Sequence, residues 1–240
     1  MVLKNNEYLL FYHENLLKKL DSADNIALLS LNILEELLGR KHSSASPFKG
    51  AELLCDARRA AAILKARKIS YILYGEENYP PLLKELPDAP FVIFYRGNIS
   101  ALHKKCVSVV GSRRLTGRGA KDAFAFACDA ASDGMTVVSG LAFGADSMAH
   151  RGAVSANFDA AEESFAKACD CGKTVAVLPC GIDSVIPVSN KRLAQQILQT
   201  GGCLISEYAP GAESFPWRYV KRNRIIAGLS SATVVIQAPV

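Results

Sequence analysis

A regular alternation of short apolar runs with helical segments begins near residue 106 and constrains the fold of this 240-residue sequence more than any other feature. The runs are rich in valine, leucine and isoleucine without polar alternation, which is typical of strands buried on both faces. The segments between them favour helices, so the pattern predicts a mostly parallel, doubly wound α/β sheet. The predicted strands span 107–110, 136–139, 174–178, 203–206 and 233–237, and the predicted helices 117–132, 145–168, 190–198 and 223–229.

The residues before this alternation fall into two segments. Leucines at helical spacing between Leu16 and Leu38, followed by an alanine-rich stretch, predict a small helical domain over 1–68. On pattern alone this domain is a packing module with no chemistry. Residues 69–105 contain two β-prone runs separated by prolines and predict a lead-in packed on the main domain, which spans 106–240.

Composition narrows the class of protein. Half of the residues are apolar and 21% are charged, which excludes a disordered chain. The absence of a long apolar run predicts no membrane partner, and the polar start predicts a cytoplasmic protein whose seven cysteines are free thiols. The net charge is +5, with most of the excess after residue 100, and this permits an anionic partner without requiring one.

Three loops follow predicted strands, and in a parallel sheet such loops meet at one edge, where ligands bind. The first contains Gly111, Ser112, Arg113 and Arg114. Glycine lets backbone approach a ligand, and a hydroxyl and guanidinium groups can bind phosphate. A solvated basic turn has the same composition, so both interpretations stand. The loop matches neither the dinucleotide fingerprint nor the P-loop.

The next two loops add candidate residues. Gly140 follows the second strand, and Asp146 stands at the start of the next helix. Asp146 either caps that helix or presents its carboxylate to a ligand. His150 lies one turn later, where it can meet Asp146, and is either structural or catalytic. After the third strand, Lys191 and Arg192 stand at a helix start, where cations oppose the helix dipole. This unfavourable placement indicates that the two cations bind an anion.

The stretch 216–224 contains four cations together with Trp217 and Tyr219. Single-stranded nucleic acid requires cations for its phosphates and flat rings for its bases. The alternative is a solvated helix face with both rings turned into the core. No nucleophile–base order or acid/base pair is visible, and Cys169 and Cys171 lack partner ligands, so we expect no catalytic residues, metal or cofactor.

The order of these motifs resembles the DNA-processing protein A family, also called DprA or Smf. The resemblance covers residues 65–238 and rests on seven pieces in family order. The matching pieces are 79–98, VSVVGSRR at 107–114, TVVSGLAFGADSMAHRGA at 136–153, KTVAVLPCGID at 173–183, NKRLA at 190–194, LISEY at 204–208 and FPWRYVKRNRIIAGLS at 215–230.

The resemblance implies an extended Rossmann-like domain after the helical one. It also implies sequence-independent binding of single-stranded DNA, homodimerisation, and loading of a RecA-type recombinase during natural transformation and recombination, without enzymatic activity. The family's DNA pocket carries over to Gly111, Ser112, Arg113, Gly140, Lys191, Arg222, Asn223 and Arg224, and we add the neighbouring cations Arg114 and Arg192 to the nucleic-acid-binding set.

The sequence departs from the family pattern at several positions. Phe143 stands where the family often has arginine, and Val188 where many members have lysine. Family members continue beyond the fifth strand of the alternation, at 233–237, so the resemblance implies that the sheet within 106–240 lacks its last elements.

A second function from a different class is a Rossmann-like nucleotide enzyme, such as a nucleotide phosphoribohydrolase. It requires a carboxylate near the sugar, for which Asp146 and Glu207 are the candidates. An NAD-dependent oxidoreductase is excluded by the missing third glycine. The cations at 216–224 favour a DNA strand, and a steep salt dependence of binding would distinguish the strand from a mononucleotide.

Overall fold

The computed structural model describes residues 50–163 and 172–238. The chain divides into two compact units, Met1–Arg67 and Lys68–Val240. The predicted helices between Leu16 and Leu38 lie outside the described residues, as do Cys169 and Cys171.

In the first unit, the described part is one helix, α1, over Gly50–Ala66. Its alanine content favours a helix. Glu52 lies in its first turn and Lys65 in its last, so both charges complement the helix dipole. Arg59 forms an exposed ion pair with Asp56, at 3.8 Å.

The second unit is built on a seven-stranded sheet with helices on both faces. The strands are β1 Ser70–Leu73, β2 Val92–Gly97, β3 Cys106–Gly111, β4 Thr136–Ser139, β5 Thr174–Val177, β6 Cys203–Ser206 and β7 Ala232–Ile236. The helices are α2 Pro81–Lys84, α3 Gly117–Ser132, α4 Ala145–Glu163, α5 Lys191–Gln199 and α6 Pro216–Gly228, with short 3₁₀ turns at Ile99–His103 and Val188–Asn190.

The strand order is β1-β2-β6-β5-β4-β3-β7. The five strands from β6 to β7 are parallel, and β1 and β2 extend the sheet with antiparallel pairs, including Phe94 opposite Ser206. The predicted mostly parallel α/β fold is therefore confirmed. The segment 69–105 contributes two strands to the same sheet.

The two faces of the sheet are covered by different helices. Val107 and Val109 of β3 pack among alanines of α3 and α4. Ser108 between them points to the opposite face, as strand alternation requires, and its hydroxyl donates to the Ile226 carbonyl of α6 at 2.7 Å. Helix α6 therefore covers that second face.

The sheet has a switch point beside β3. The chain runs outward from β3 through β4, β5 and β6, and α6 then carries it back to β7 on the other side of β3. In open α/β sheets, ligands bind in the crevice at the carboxyl ends of the strands where the order reverses. The loops after β3 and β4 and the first half of α6 meet at this point.

Helix α6 is longer than the sequence pattern predicts. It begins at Pro216, whereas the predicted helix begins at Asn223. Proline suits the first helical turn because its fixed φ matches the helix and its missing N–H is not needed there. The cationic stretch at 216–224 is therefore helical. Over the described residues, each helix is too short or too polar to cross a membrane.

Candidate nucleic-acid interface

Two adjoining hollows open at the switch point, and we call them together the groove. Their cavities measure about 380 Å³ and about 410 Å³. Both are lined by Arg113, Ala142, Tyr219 and Val220, so they form one depression on either side of Arg113.

The loop after β3 presents Arg113 to the groove. Gly111 is required by packing, because a Cβ there would lie 1.9 Å from the Ile236 carbonyl oxygen of β7. The Ser112 hydroxyl donates to the Arg114 carbonyl at 2.9 Å and accepts from the Arg114 amide at 3.2 Å. Ser112 thus shapes the turn, while the side chains of Arg113 and Arg114 remain exposed.

The start of α3 is already partly satisfied by protein groups. The Thr116 hydroxyl accepts from the Gly119 amide at 3.1 Å, and the Thr116 amide donates to Gln237 Oε1 at 2.9 Å. These bonds occupy two of the N–H groups at the helix start, those of Thr116 and Gly119. The exposed side chains of Arg113 and Arg114 supply the charged donors of this loop.

Arg113 lies over an aromatic ring. Its guanidinium carbon is 5.6 Å from the centroid of Tyr219, a cation–π distance. Phe143 and Val220 line the groove beside this pair and are 53% and 74% exposed. The groove thus combines a cation with apolar surfaces that are open to a ligand.

Arg222 lies beneath the groove with only 4% of its surface exposed. Its Nη1 donates to the carbonyl oxygens of Gly140 at 2.6 Å and Val177 at 2.5 Å. A Cβ at Gly140 would lie 2.2 Å from Arg222 Nη1, so a side chain there would displace this guanidinium from its carbonyl partners. Arg222 therefore ties the loop after β4 to β5 from below.

Asp146 stabilises the same loop from the start of α4. Its Oδ2 accepts from the amides of Gly140 at 3.2 Å and Ala142 at 3.3 Å. Burial raises the pKa of Asp146, and the nearby charge of Arg222 partly opposes that shift. Leu141 between these amides has a φ of 57°, so the carboxylate supports a strained backbone position.

His150 is fully buried and bonds to Thr174, not to Asp146 as the helical spacing suggested. The Thr174 hydroxyl donates to the Val137 carbonyl at 2.8 Å, so it accepts from His150 Nδ1 at 2.7 Å. Burial lowers the pKa of His150 to about 3. These contacts describe a neutral imidazole within the core.

The cations of the 216–224 stretch bind protein groups. Arg218 lies 4.1 Å from the ring centroid of Tyr208 and also stacks against Phe215 and Trp217. Arg224 pairs with Glu207 and with Asp88, the latter at 2.9 Å, and Lys221 lies 3.7 Å from Glu207.

The two rings of that stretch have different surroundings. Trp217 is 55% exposed, and Tyr219 is half-buried in the groove. Neither alternative drawn from the sequence describes this arrangement, because the rings face outward while most of the cations are bound within the protein.

The predicted site residues fall into three groups. Gly111, Arg113, Gly140, Arg222 and Asn223 line the groove, while Ser112 and Arg114 lie in the loop after β3 that carries Arg113. Asn223 accepts from Arg222 Nε at 3.2 Å. Arg224 lies in the ion cluster around Glu207. Lys191 and Arg192 are exposed at the start of α5. The preceding residue, Asn190, is buried and donates to the Leu141 carbonyl at 2.9 Å, which connects the start of α5 to the loop after β4.

The predicted set omitted Tyr219, Val220 and Phe143. A helix that begins at Pro216 places Tyr219, Val220 and Asn223 on one face, because residues three and four apart are neighbours on a helix. The proline signal could have identified this face. Phe143 carries no comparable local signal.

A mostly parallel α/β sheet whose loops meet at a switch point defines a Rossmann-like domain. The sequence profile of the family described as DNA recombination-mediator protein A matches residues 70–240. The chain belongs to this family, which confirms the resemblance seen in the sequence.

Individual relatives agree with this assignment. Protein Smf of Borreliella burgdorferi is 32% identical over 177 residues, which are 74% of this chain and 52% of that protein. The X-ray structure of DNA processing protein A from Streptococcus pneumoniae has a TM-score of 0.69 at 29% identity, covering 98% of this chain and 74% of that one.

A second solved structure, described as showing the single-stranded DNA binding mode of DNA processing protein A from Helicobacter pylori, has a TM-score of 0.60 at 26% identity. It covers 72% of this chain and 71% of that one. The chain spans about half, or less, of the length of the curated relatives it matches.

Proposed function

We propose that this chain binds single-stranded DNA without sequence preference, in the groove at the switch point. The observation that carries the proposal is the pairing of exposed Arg113 with the ring of Tyr219, beside the exposed side chains of Phe143 and Val220. Arg113 supplies a forked donor for phosphate, and the flat and apolar surfaces suit any base. The Helicobacter pylori relative, a single-stranded DNA binder by its description, supports the same ligand here.

The finer parts of the function follow from family membership. We propose that the complete protein is a homodimer that loads a RecA-type recombinase on single-stranded DNA in recombination and natural transformation. Co-sedimentation of the recombinase with the protein, with and without oligo-dT, tests the loading, and light scattering tests the dimer.

We place this activity in the cytoplasm, since Cys106, Cys180 and Cys203 are buried free thiols suited to a reducing compartment.

The deciding experiment is a titration of labelled oligo-dT and of thymidine monophosphate at two salt concentrations. A strand that contacts several phosphates loses affinity with a log–log slope of about 0.7 per phosphate. We expect a steep slope for oligo-dT and weak, nearly salt-independent binding of the monophosphate. Equal affinity for both ligands, without a salt effect on either, would contradict the proposal.

The alternative of a nucleotide hydrolase rests on Asp146, which lines the groove and whose pKa is raised by burial. Its Oδ2 is engaged by two loop amides, and the second candidate, Glu207, is paired with Arg224 and Lys221. We propose that the chain has no such activity. Release of free base from nucleoside monophosphates, abolished by Asp146→Asn, would support the enzyme instead.

A further inference from the structure

A third hollow, which lies outside the groove, has the lining of an anion site. Its cavity measures about 340 Å³ and is lined by Arg151, Ser189, Arg192, Leu193 and Gln196. Each of the four polar side chains can donate a hydrogen bond, and the lining includes no carboxylate. Such a surface favours a phosphate over a cation or an apolar group.

The two arginines of this hollow lie on different helices and are open to solvent. Arg151 comes from α4 and Arg192 from α5, and both are exposed. In the described part of the chain, neither forms an ion pair. Two like charges that line one hollow repel each other, and an anion bound between them removes that cost. Guanidinium groups also match the oxygens of a phosphate in pairs.

The hollow adjoins the groove. Pro187 lines the groove and Ser189 lines the hollow, so their Cα atoms are at most about 8 Å apart. Val188 between them is 66% exposed. A single strand that leaves the groove at Pro187 can therefore pass over Val188 and bring a phosphate to Arg151 and Arg192.

We propose that this hollow binds a backbone phosphate of the same DNA strand that occupies the groove. The inference rests on the proposed function and extends it, because it makes Arg151 a DNA-binding residue and gives Arg192 a partner. The affinity then depends on strand length, because an oligonucleotide that only fills the groove does not reach the hollow, whereas a longer one occupies both.

The test compares the full chain with the double variant Arg151→Gln/Arg192→Gln on labelled oligo-dT of about four and about sixteen nucleotides. We expect the double variant to bind the longer oligonucleotide about tenfold more weakly, as for the loss of a charge-assisted phosphate contact. Its salt slope should fall by about 0.7 for each phosphate lost, and the loss of affinity should be clearly smaller on the shorter oligonucleotide.

The matched control is Lys105→Gln, which removes an exposed cation at the amino end of β3, on the edge of the sheet opposite the groove. It should leave both affinities unchanged, and circular dichroism should show that all variants are folded. An unchanged slope in the double variant, with the unaltered protein binding both oligonucleotides, overturns this inference alone. If the unaltered protein binds neither oligonucleotide, the proposed function fails together with it.

Discussion

Two arginines of the groove have opposite surroundings, and these surroundings determine what each can do. Arg113 is exposed over Tyr219, so its guanidinium is available to a ligand. Arg222 is buried and donates to two backbone carbonyls. The sequence identified both positions as candidates, but it could not predict this division, because the carbonyls of Gly140 and Val177 come from distant strand ends.

Arg113→Ala should weaken binding of single-stranded oligonucleotides of every sequence about equally, by roughly 1–3 kcal/mol, because it removes one charge-assisted phosphate contact. The protein should remain as stable as before, since the side chain is exposed. Fluorescence anisotropy with several oligonucleotide sequences measures the first effect and thermal melting the second. Unchanged affinity in a folded variant would exclude Arg113 from the site.

His150 should make the protein less stable in acid. Its pKa is lowered from 6.5 to about 3 by burial, so below pH 6.5 the unfolded chain binds a proton that the folded protein does not. Stability is therefore complete above pH 6.5 and is lost as the pH falls towards the folded pKa. The loss from this group between pH 7 and pH 5 should be about 2 kcal/mol.

The control for that effect is His150→Asn, which keeps a donor near Thr174 but does not titrate. Urea unfolding at pH 7 and at pH 5 should show a smaller pH dependence in the variant, whatever its absolute stability. The same pH dependence in both proteins would mean that other groups cause the acid sensitivity.

At the scale of elements, α6 connects the core with the groove. Ile225 and Ile226 are buried in the core, while Tyr219 and Val220 line the groove. Its apolar positions therefore lie on more than one face, and its first half is rich in charged residues. For both reasons the sequence of α6 shows no clear helical periodicity of apolar residues. Helix α3 and strand β4, in contrast, have the bounds that the pattern predicts: α3 buries one regular face of alanines, and β4 is a short run buried at every residue.

Gly140→Ala should destabilise the second unit by about 3 kcal/mol or more, because the new methyl group displaces Arg222 and leaves buried polar groups without partners. Gly117→Ala is the matched control: apart from its chain neighbours and the backbone of its own helix, no atom lies within 4 Å of a Cβ at that position in the first turn of α3. It should change stability by at most about 1 kcal/mol, in the stabilising direction. Urea denaturation compares them, and equal effects would contradict the role given to Arg222.

At the scale of the whole molecule, sequence order predicted the parallel strands but not the full sheet. Strands β3 to β7 alternate with helices, and such units close into a parallel sheet by short right-handed connections. The pairing of β2 with β6 places Phe94 opposite Ser206. These residues are far apart in the chain, so no local sequence pattern predicts the pairing. The groove could be predicted for a related reason, because its position follows from where the parallel strands end.

The second unit should fold and bind DNA without the first. All the residues placed at the groove and at the Arg151–Arg192 hollow lie within Lys68–Val240, and so does the cluster of buried valines and alanines around β3, α3 and α4. A compact unit with its own core can form independently. A fragment of residues 68–240 should therefore unfold in one cooperative transition and bind oligo-dT with the affinity and salt slope of the full chain. Thermal melting and the same anisotropy titration measure both properties.

Two outcomes would contradict this prediction. A folded fragment with clearly weaker binding would show that the first unit contributes part of the DNA site, and a fragment that fails to fold would show that the core of the second unit is not sufficient.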